Sequence, residues 1–184
     1  SVLQPIVAGL GDLEPVAWKV GDEINVEDVL NKLVMAGYVR SELVVYYSGH
    51  ADEHGLLIGE DRVSYQTLRD KLDEMPADKL AEAIGGEGEV AAMIHDQTSA
   101  TGIGRRDGFL NRLAEAYPNI TVVDVQYAND ALKATEGIKT MLQAHPNLKG
   151  IFASNEGAAI GLAIALKESG AKVVGVGYDS GKQQ

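Results

Sequence analysis

Four short apolar runs mark the second half of the chain: GEVAAMIHD (88–96), ITVVDVQ (120–126), GIFAS (150–154) and KVVGVGYD (172–179). Each is nearly continuous and ends in polar or glycine residues, the pattern of a strand buried on both faces. Between them the apolar positions shift to a helical period. RRDGFLNRLAEAY (105–117) follows a Gly-rich turn, TSATGIG (98–104), and places Phe109, Leu110, Leu113 and Ala116 on one face before Pro118-Asn119 stops it. A second helix over 130–144 turns Leu132, Ile138, Met141 and Leu142 inward, with Asn129 as the expected cap and His145-Pro146-Asn147 as the stop. A third runs from a cap at Ser154 or Asn155 to Ser169, with Gly170 at the left-handed position beyond its end. One helix between each pair of successive strands predicts an α/β, doubly wound, mostly parallel sheet in a three-layer sandwich with right-handed crossovers.

The first half is less regular. Pro5, Gly9-Leu10-Gly11 and Pro15 interrupt the opening residues, and WKVG (18–21) reads as a short strand. Asn25 with Asp28 resembles a capping box for a helix from Val26 to Ala36, ended by Gly37. ELVVYYSG (42–49) is a strong strand, the best candidate to extend the later sheet, and GLLIG (55–59) and RVSY (62–65) read as strand and turn. Ser64 is expected to cap a helix over Tyr65–Met75 with Leu68 and Leu72 inward. Pro76-Ala77-Asp78 then breaks it, and Asp78 caps a further helix to Ile84. The acidic run Asp70, Asp73, Glu74 and Asp78 reads as a solvent face. The boundary falls between an N-terminal α/β segment, 1–79, and an α/β lobe, 80–184.

Composition narrows the chemistry. At 184 residues, 45% apolar and 23% charged, the chain can build a sizeable core. Sixteen basic against 27 acidic residues leave a net charge of -11, which opposes nucleic acid and anionic membrane surfaces as partners. The absence of cysteine removes disulfides, thiolate metal sites and cysteine nucleophiles, and four histidines make a His-rich metal site improbable. No apolar run is long enough to span a bilayer, and the opening residues lack the pattern of a secretory signal. No cofactor is expected. A sheet with an exposed edge offers one route to a homodimer.

Several constellations have plain structural explanations. His95-Asp96 looks like a catalytic pair, but adjacent strand residues point to opposite faces. His50, Asp52 and His54 are spaced for a metal on a strand, yet fall in a turn region beside Gly49 and Gly55. Gly85, Gly86 and Gly88 precede a strand, the wrong context for a dinucleotide loop. Ser48, Ser64 and Ser99 do not sit in nucleophile-elbow patterns.

From about Leu80 onward, LAEAIGGEGEVAAM, QTSATGIGRRDGF, YPNITVVDVQYAND, LQAHPNLKGIFASNEGAAIGLAIALKESG and KVVGVGYDS resemble the C-terminal lobe of type I periplasmic sugar-binding proteins, the ribose-binding family shared with LacI-type repressors. The resemblance implies a flavodoxin-like, periplasmic-binding-protein-like fold with ligand contacts at the C-terminal ends of the strands. An open α/β sheet binds ligands there on physical grounds as well. Arg105 in RRDGF is similar to the family's sugar-hydroxyl clamp. Asn155 in ASNEG and Asp179 in GYDS match its paired hydrogen-bonding residues, and Asn129 lies where the family often has an aromatic or polar contact. These four suit a small sugar or polyol. Nothing before residue 80 resembles the family's other lobe, and the family continues past GYDS with a further helix and strand.

Two other segments resemble different families. LVVYYSGHADEHGLLIGEDRVSYQTLRDKLDEMPAD (43–78) is similar to a caspase-like peptidase segment, with His50 as its histidine, Ala51 where that family usually has glycine, and no cysteine to act on. Residues 1–42, through GLGDLE and VGDEINVEDVLNKLVMAGYVR, weakly resemble a stretch of the excision-repair helicase B subunit and the transcription–repair coupling factor, without a phosphate-binding loop. Three resemblances in series point to a composite chain, engineered or recombined. On that reading it is non-enzymatic, with a partial sugar-binding edge of weak or no affinity. The alternative is a natural periplasmic sugar-binding protein fragment with real specificity. A caspase-like hydrolase is opposed by the missing cysteine. The binding-protein resemblance implies a periplasmic location, and an engineered chain implies cytoplasmic expression.

Overall fold

The computed structural model describes residues 50–58 and 61–179. The expected strands at 18–21 and 42–49 and the helix over Val26–Ala36 lie outside the described residues. The chain divides into two compact units, Ser1–Leu68 and Arg69–Gln184.

In the first unit, β1 (Ala51–Asp52), β2 (Gly55–Ile58) and β3 (Asp61–Ser64) form an antiparallel sheet in chain order. The Asp52 carboxylate closes the β1–β2 turn by accepting from the backbone N–H of His54 at 2.8 Å and Gly55 at 3.1 Å, and it also pairs with the Arg62 guanidinium. The backbone bond from His54 and the nearby Arg62 charge lower the Asp52 pKa. The spacing that suggests a metal site therefore folds as a turn whose carboxylate already has three partners. Among the described residues, no group of three His, Cys, Asp or Glu is placed to hold a metal ion. Gly55 is required where it stands, since a Cβ there would lie 2.2 Å from the Val63 carbonyl oxygen.

Helix α1 spans Tyr65–Ile84 without interruption and contains Pro76. Its start agrees with the sequence reading, because Ser64 Oγ accepts from the Thr67 N–H at 2.9 Å. The expected break does not occur. An internal proline costs about 3 kcal/mol. Met75, Pro76, Ala77, Leu80 and Ala81 are all buried, and a fully buried large aliphatic side chain contributes about 1.5–3 kcal/mol. Burial along the stripe thus outweighs the proline. The acidic run is a solvent face only in part, with Asp70 exposed. Asp73 is buried, Asp78 pairs with Arg112, and Lys71 pairs with Glu74.

The second unit carries the alternation expected of it: β4 (Gly88–Ile94), α2 (Ala100–Ala116), β5 (Ile120–Tyr127), α3 (Ala131–Ala144), β6 (Leu148–Ala153), α4 (Glu156–Ser169) and β7 (Val174–Gly177). The strands are all parallel, in the order β5-β4-β6-β7. Alternate β4 residues feed separate cores. Val90, Ala92 and Ile94 join Phe152, Phe109 and Leu113 of α2, and Ala77 and Leu80 of α1. Ala91 and Met93 join Ile151, Ile138 and Met141 of α3, and Leu162 and Ala165 of α4. Two helices thus cover each face of a doubly wound α/β sandwich. Phe109 and Phe152 stack with ring centroids 4.6 Å apart.

Two helix starts differ from expectation. α2 begins at Ala100 because Ser99 caps it, accepting from the Gly102 N–H at 3.1 Å. Much of the supposed Gly-rich turn is therefore helix. α3 is capped by Asp130, which accepts from the Lys133 N–H at 2.9 Å, so Asn129 is not the cap. Leu132, expected inside, is 71% exposed on the first turn of α3. Asn155 caps α4 through the Ala158 N–H at 2.9 Å, and Gly170 ends it at φ +66°, both as the sequence reads.

Candidate functional site

β4 leads leftward in the sheet to β5, and β6 leads rightward to β7, so the strand order reverses between β4 and β6. The connections leaving such neighbours diverge and open a crevice at their C-terminal ends. His95 follows β4 and Ser154 follows β6, one on each side of this point. The buried Ser154 Oγ accepts from the His95 backbone N–H at 2.8 Å and lies 2.7 Å from His95 Nδ1. The hydroxyl thus engages both the backbone N–H and the ring nitrogen of His95 and fixes the orientation of the imidazole. Burial, reinforced by the Arg105 charge, lowers the His95 pKa and favours the neutral ring.

Asp96 organises the next turn. Its Oδ1 accepts from the backbone N–H groups of Thr98 and Ser99, both at 2.6 Å. These bonds lower its pKa to about 2. His95 and Asp96 do not pair, in keeping with adjacent residues pointing to opposite faces: the imidazole turns to Ser154 and the carboxylate to the helix start.

Arg105 lies in the second turn of α2, not at its start, and reaches across to the ends of β6 and β7. Its Nη1 donates to the Ser154 carbonyl at 2.6 Å and to Asp179 Oδ2 at 2.8 Å, and Nη2 donates to Asp179 Oδ1 at 3.3 Å. Its guanidinium carbon lies 3.8 Å from the Tyr178 ring centroid. The Tyr178 hydroxyl donates to Asp73 Oδ1 at 2.8 Å. Burial, followed by that bond to Asp73, raises the Tyr178 pKa, so the phenol keeps its proton. Arg106 turns elsewhere, to Asp107 at 2.7 Å and the Tyr127 hydroxyl at 3.4 Å.

Of the four residues singled out in the sequence, Arg105 and Asp179 meet directly. Asn155 adjoins Ser154 and spends its side-chain oxygen on the α4 cap. Asn129 is exposed just beyond the end of β5. Sequence reasoning missed Ser154 as an anchor, His95 in its actual pairing, Tyr178 and Asp73. The Tyr178 signal was its place beside Asp179 in GYDS. The Asp73 signal was its place four residues before Ala77 and seven before Leu80, the inner stripe of a helix that continues through Pro76.

Chemically, this is a row of fixed donors and acceptors on rigid strand ends. Ser154 Oγ is fully buried, so the Ser154–His95 contact presents no accessible nucleophile. The arrangement defines an α/β lobe with polar side chains gathered at the C-terminal ends of its strands. Residues 68–184 match the family described as a periplasmic binding protein domain, and the chain belongs to that family. It is 33% identical over 110 residues to the D-apiose import binding protein of Actinobacillus succinogenes, covering 58% of this chain and 34% of that one. A periplasmic solute-binding protein of an Actinobacillus succinogenes ABC transporter, solved with bound D-allose, shares 37% identity at a TM-score of 0.56, over 59% of this chain and 39% of that one. A carbohydrate-transporter solute-binding protein from Agrobacterium radiobacter, in complex with D-arabinose, shares 30% identity at a TM-score of 0.60, over 62% and 42%. The chain spans about a third of the length of the curated relatives it matches.

These findings leave the composite reading without support. The family match runs unbroken through the second unit, and neither an engineered origin nor the caspase-like and helicase-like resemblances of the earlier residues gains support. The natural sugar-binding alternative fits better. The relatives are binding proteins, which agrees with a non-enzymatic chain. Among the described residues, no helix is long and apolar enough to cross a membrane.

Proposed function

We propose that the Arg69–Gln184 unit is one lobe of a sugar-binding protein and that it holds a monosaccharide against the C-terminal ends of β4, β5, β6 and β7. The observation that carries this reading is the Arg105–Asp179 pair beside the strand-order reversal. The Asp179 side chain is 43% exposed and that of Arg105 17% exposed, so the carboxylate forms the outer face of the pair. It accepts from sugar hydroxyls while Arg105 fixes its orientation and charge. Asn155 contributes its amide N–H groups once its oxygen is committed to the cap, and Asn129 closes the β5 side. Vicinal hydroxyls on a pentose or hexose ring match this alternation of donor and acceptor. The three relatives named above, described with D-apiose, D-allose and D-arabinose, support monosaccharides as the ligand class.

The test is thermal unfolding of the chain with each of these sugars at ~10 mM. A ligand at 100 times its dissociation constant adds about 2.7 kcal/mol to stability. A rise in melting midpoint with one or more sugars, absent in Arg105→Ala, is expected. An identical cooperative melt under every condition would refute the proposal.

A further inference from the structure

We infer that Asp73 is a positioning residue for the strand-end arginine: its carboxylate anchors the Tyr178 hydroxyl, and the anchored ring holds the Arg105 guanidinium in place. The inference about geometry stands on the contacts alone. Its consequence for sugar affinity rests on the proposed function.

Asp73 lies on the inner stripe of α1 and is 5% exposed. Buried carboxylates are rare unless paired, and among the described residues this one makes no ion pair at salt-bridge distance: its hydrogen bond is to a phenol, 2.8 Å from Oδ1. A buried acid with that partner contributes little that a well-packed apolar residue would not. The surroundings are nonetheless shaped for it. Gly104 and Gly108 of α2 face Asp73, and a Cβ on Gly104 would stand 2.9 Å from Asp73 Oδ2. A Cβ on Gly108 would stand 2.7 Å from the Asp73 Cβ and 2.8 Å from its carbonyl carbon. Two glycines one helical turn apart thus seat the carboxyl against α2, next to Arg105 itself.

Tyr178 is then fixed at both ends. Its backbone N–H donates to the Ala153 carbonyl at 3.0 Å, and its hydroxyl is tied to Asp73. With the ring so held, its face lies against the guanidinium while Asp179 takes the guanidinium edge. Face and edge together define the plane of the arginine. Without Asp73, the ring keeps its backbone attachment but loses the bond that sets its tilt. Burial raises the Asp73 pKa against the opposing pull of the Tyr178 bond and the Arg105 and Arg69 charges, and Asp70 adds to the rise, yet either protonation state accepts from the phenol.

The experiment uses Asp73→Asn, which keeps an acceptor oxygen, Asp73→Leu and Tyr178→Phe, which remove the bond from either side, and the Leu/Phe double variant. In the ligand-free chain, labelled with 15N-arginine, the Arg105 Nε–Hε resonance reports the ring stacked on it. It is expected to move in Asp73→Leu and Tyr178→Phe and to stay in Asp73→Asn. The dissociation constant for whichever of D-apiose, D-allose and D-arabinose binds the parent chain is expected to rise roughly threefold to thirtyfold in those two variants. The double variant should lose no more than either alone, and Asp73→Asn should bind as the parent does. Tyr178→Phe removes one oxygen, so it keeps the test valid if Asp73→Leu fails to fold. An Arg105 resonance unmoved in Tyr178→Phe, or losses that add in the double variant, would overturn the inference. If the parent binds none of the three sugars while the resonance still moves as described, Asp73 positions Arg105 and the sugar-binding reading is what fails.

Discussion

Arg105 and Asp179 meet through two hydrogen bonds, at 2.8 and 3.3 Å, joining the second turn of α2 to the residue two beyond the end of β7. The preceding residue, Tyr178, stacks under the same guanidinium. One dipeptide thus holds a cation by its edge and by its face, which a lysine cannot reproduce because it lacks a planar fork. Arg105→Lys should destabilise the chain by about 1–2 kcal/mol, the sum of a charge-assisted bond discounted for the exposure of Asp179 and a cation–π contact. Urea unfolding of the two proteins checks this. An unchanged midpoint would mean the pair is a surface contact of no consequence.

Asn155 has two separable roles. Its side-chain oxygen caps α4 through the Ala158 N–H, and the proposed ligand contact uses its amide nitrogen. Asn155→Ala should cost about 1 kcal/mol of stability whether or not a sugar binds, the usual cost of losing a cap. Asn155→Ser keeps a capping oxygen and should restore stability to within a few tenths of a kcal/mol while still binding sugar about tenfold more weakly. Recovery of both properties in the serine variant would reduce Asn155 to a cap.

The close approach of α1 to α2 depends on Gly108. A methyl group there would meet the Asp73 backbone, at 2.8 Å from its carbonyl carbon and 2.9 Å from its oxygen, with no flexible side chain to give way. Gly108→Ala should therefore lower stability by about 1–3 kcal/mol, the range for overpacking, although alanine is the better helix former. A raised melting temperature would contradict the packing described.

Asp96 makes the acid limb of stability predictable in sign. Its folded pKa of about 2 lies below the ordinary aspartate value of 3.8, chiefly through the backbone bonds from Ser99 and Thr98. The stabilisation it supplies is complete above pH 3.8 and is lost as pH falls through about 2. Asp73 runs the other way: burial raises its pKa, so its contribution falls as pH climbs through the folded value. A carboxyl-carbon NMR titration should place Asp96 at about 2, and Asp96→Asn should flatten the fall in stability below pH 4. A midpoint near 3.8 would show that the turn does not form in solution.

Much of the second unit was legible because its signals are local. Strands buried on both faces read as apolar runs, and Asn155 and Gly170 bracket α4 by their own cap chemistry. What stayed hidden depended on tertiary burial. Pro76 reads as a stop, and only the packing of Met75, Ala77 and Leu80 carries α1 through it. Breaking the helix there also concealed Asp73, whose inward position appears only when residues 73, 77, 80 and 84 are counted on one stripe. Arg105 and Asp179 were found by motif, but their pairing was not, because 74 residues separate them. The exposed Leu132 shows the converse limit, since an apolar residue on a helical period need not be buried when it falls in the first turn.

The central claim is that the strand-end surface around Arg105 and Asp179 receives a sugar. A 1H–15N NMR titration of the chain with D-apiose, D-allose and D-arabinose, each to ~10 mM, tests it most directly, since millimolar binding is still visible by shift changes. Saturable shifts confined to His95, Arg105, Asn129, Ser154, Asn155 and Asp179 are expected with at least one sugar, and should vanish in Arg105→Ala. A folded chain whose spectrum responds to none of them, or responds equally in Arg105→Ala, would contradict it.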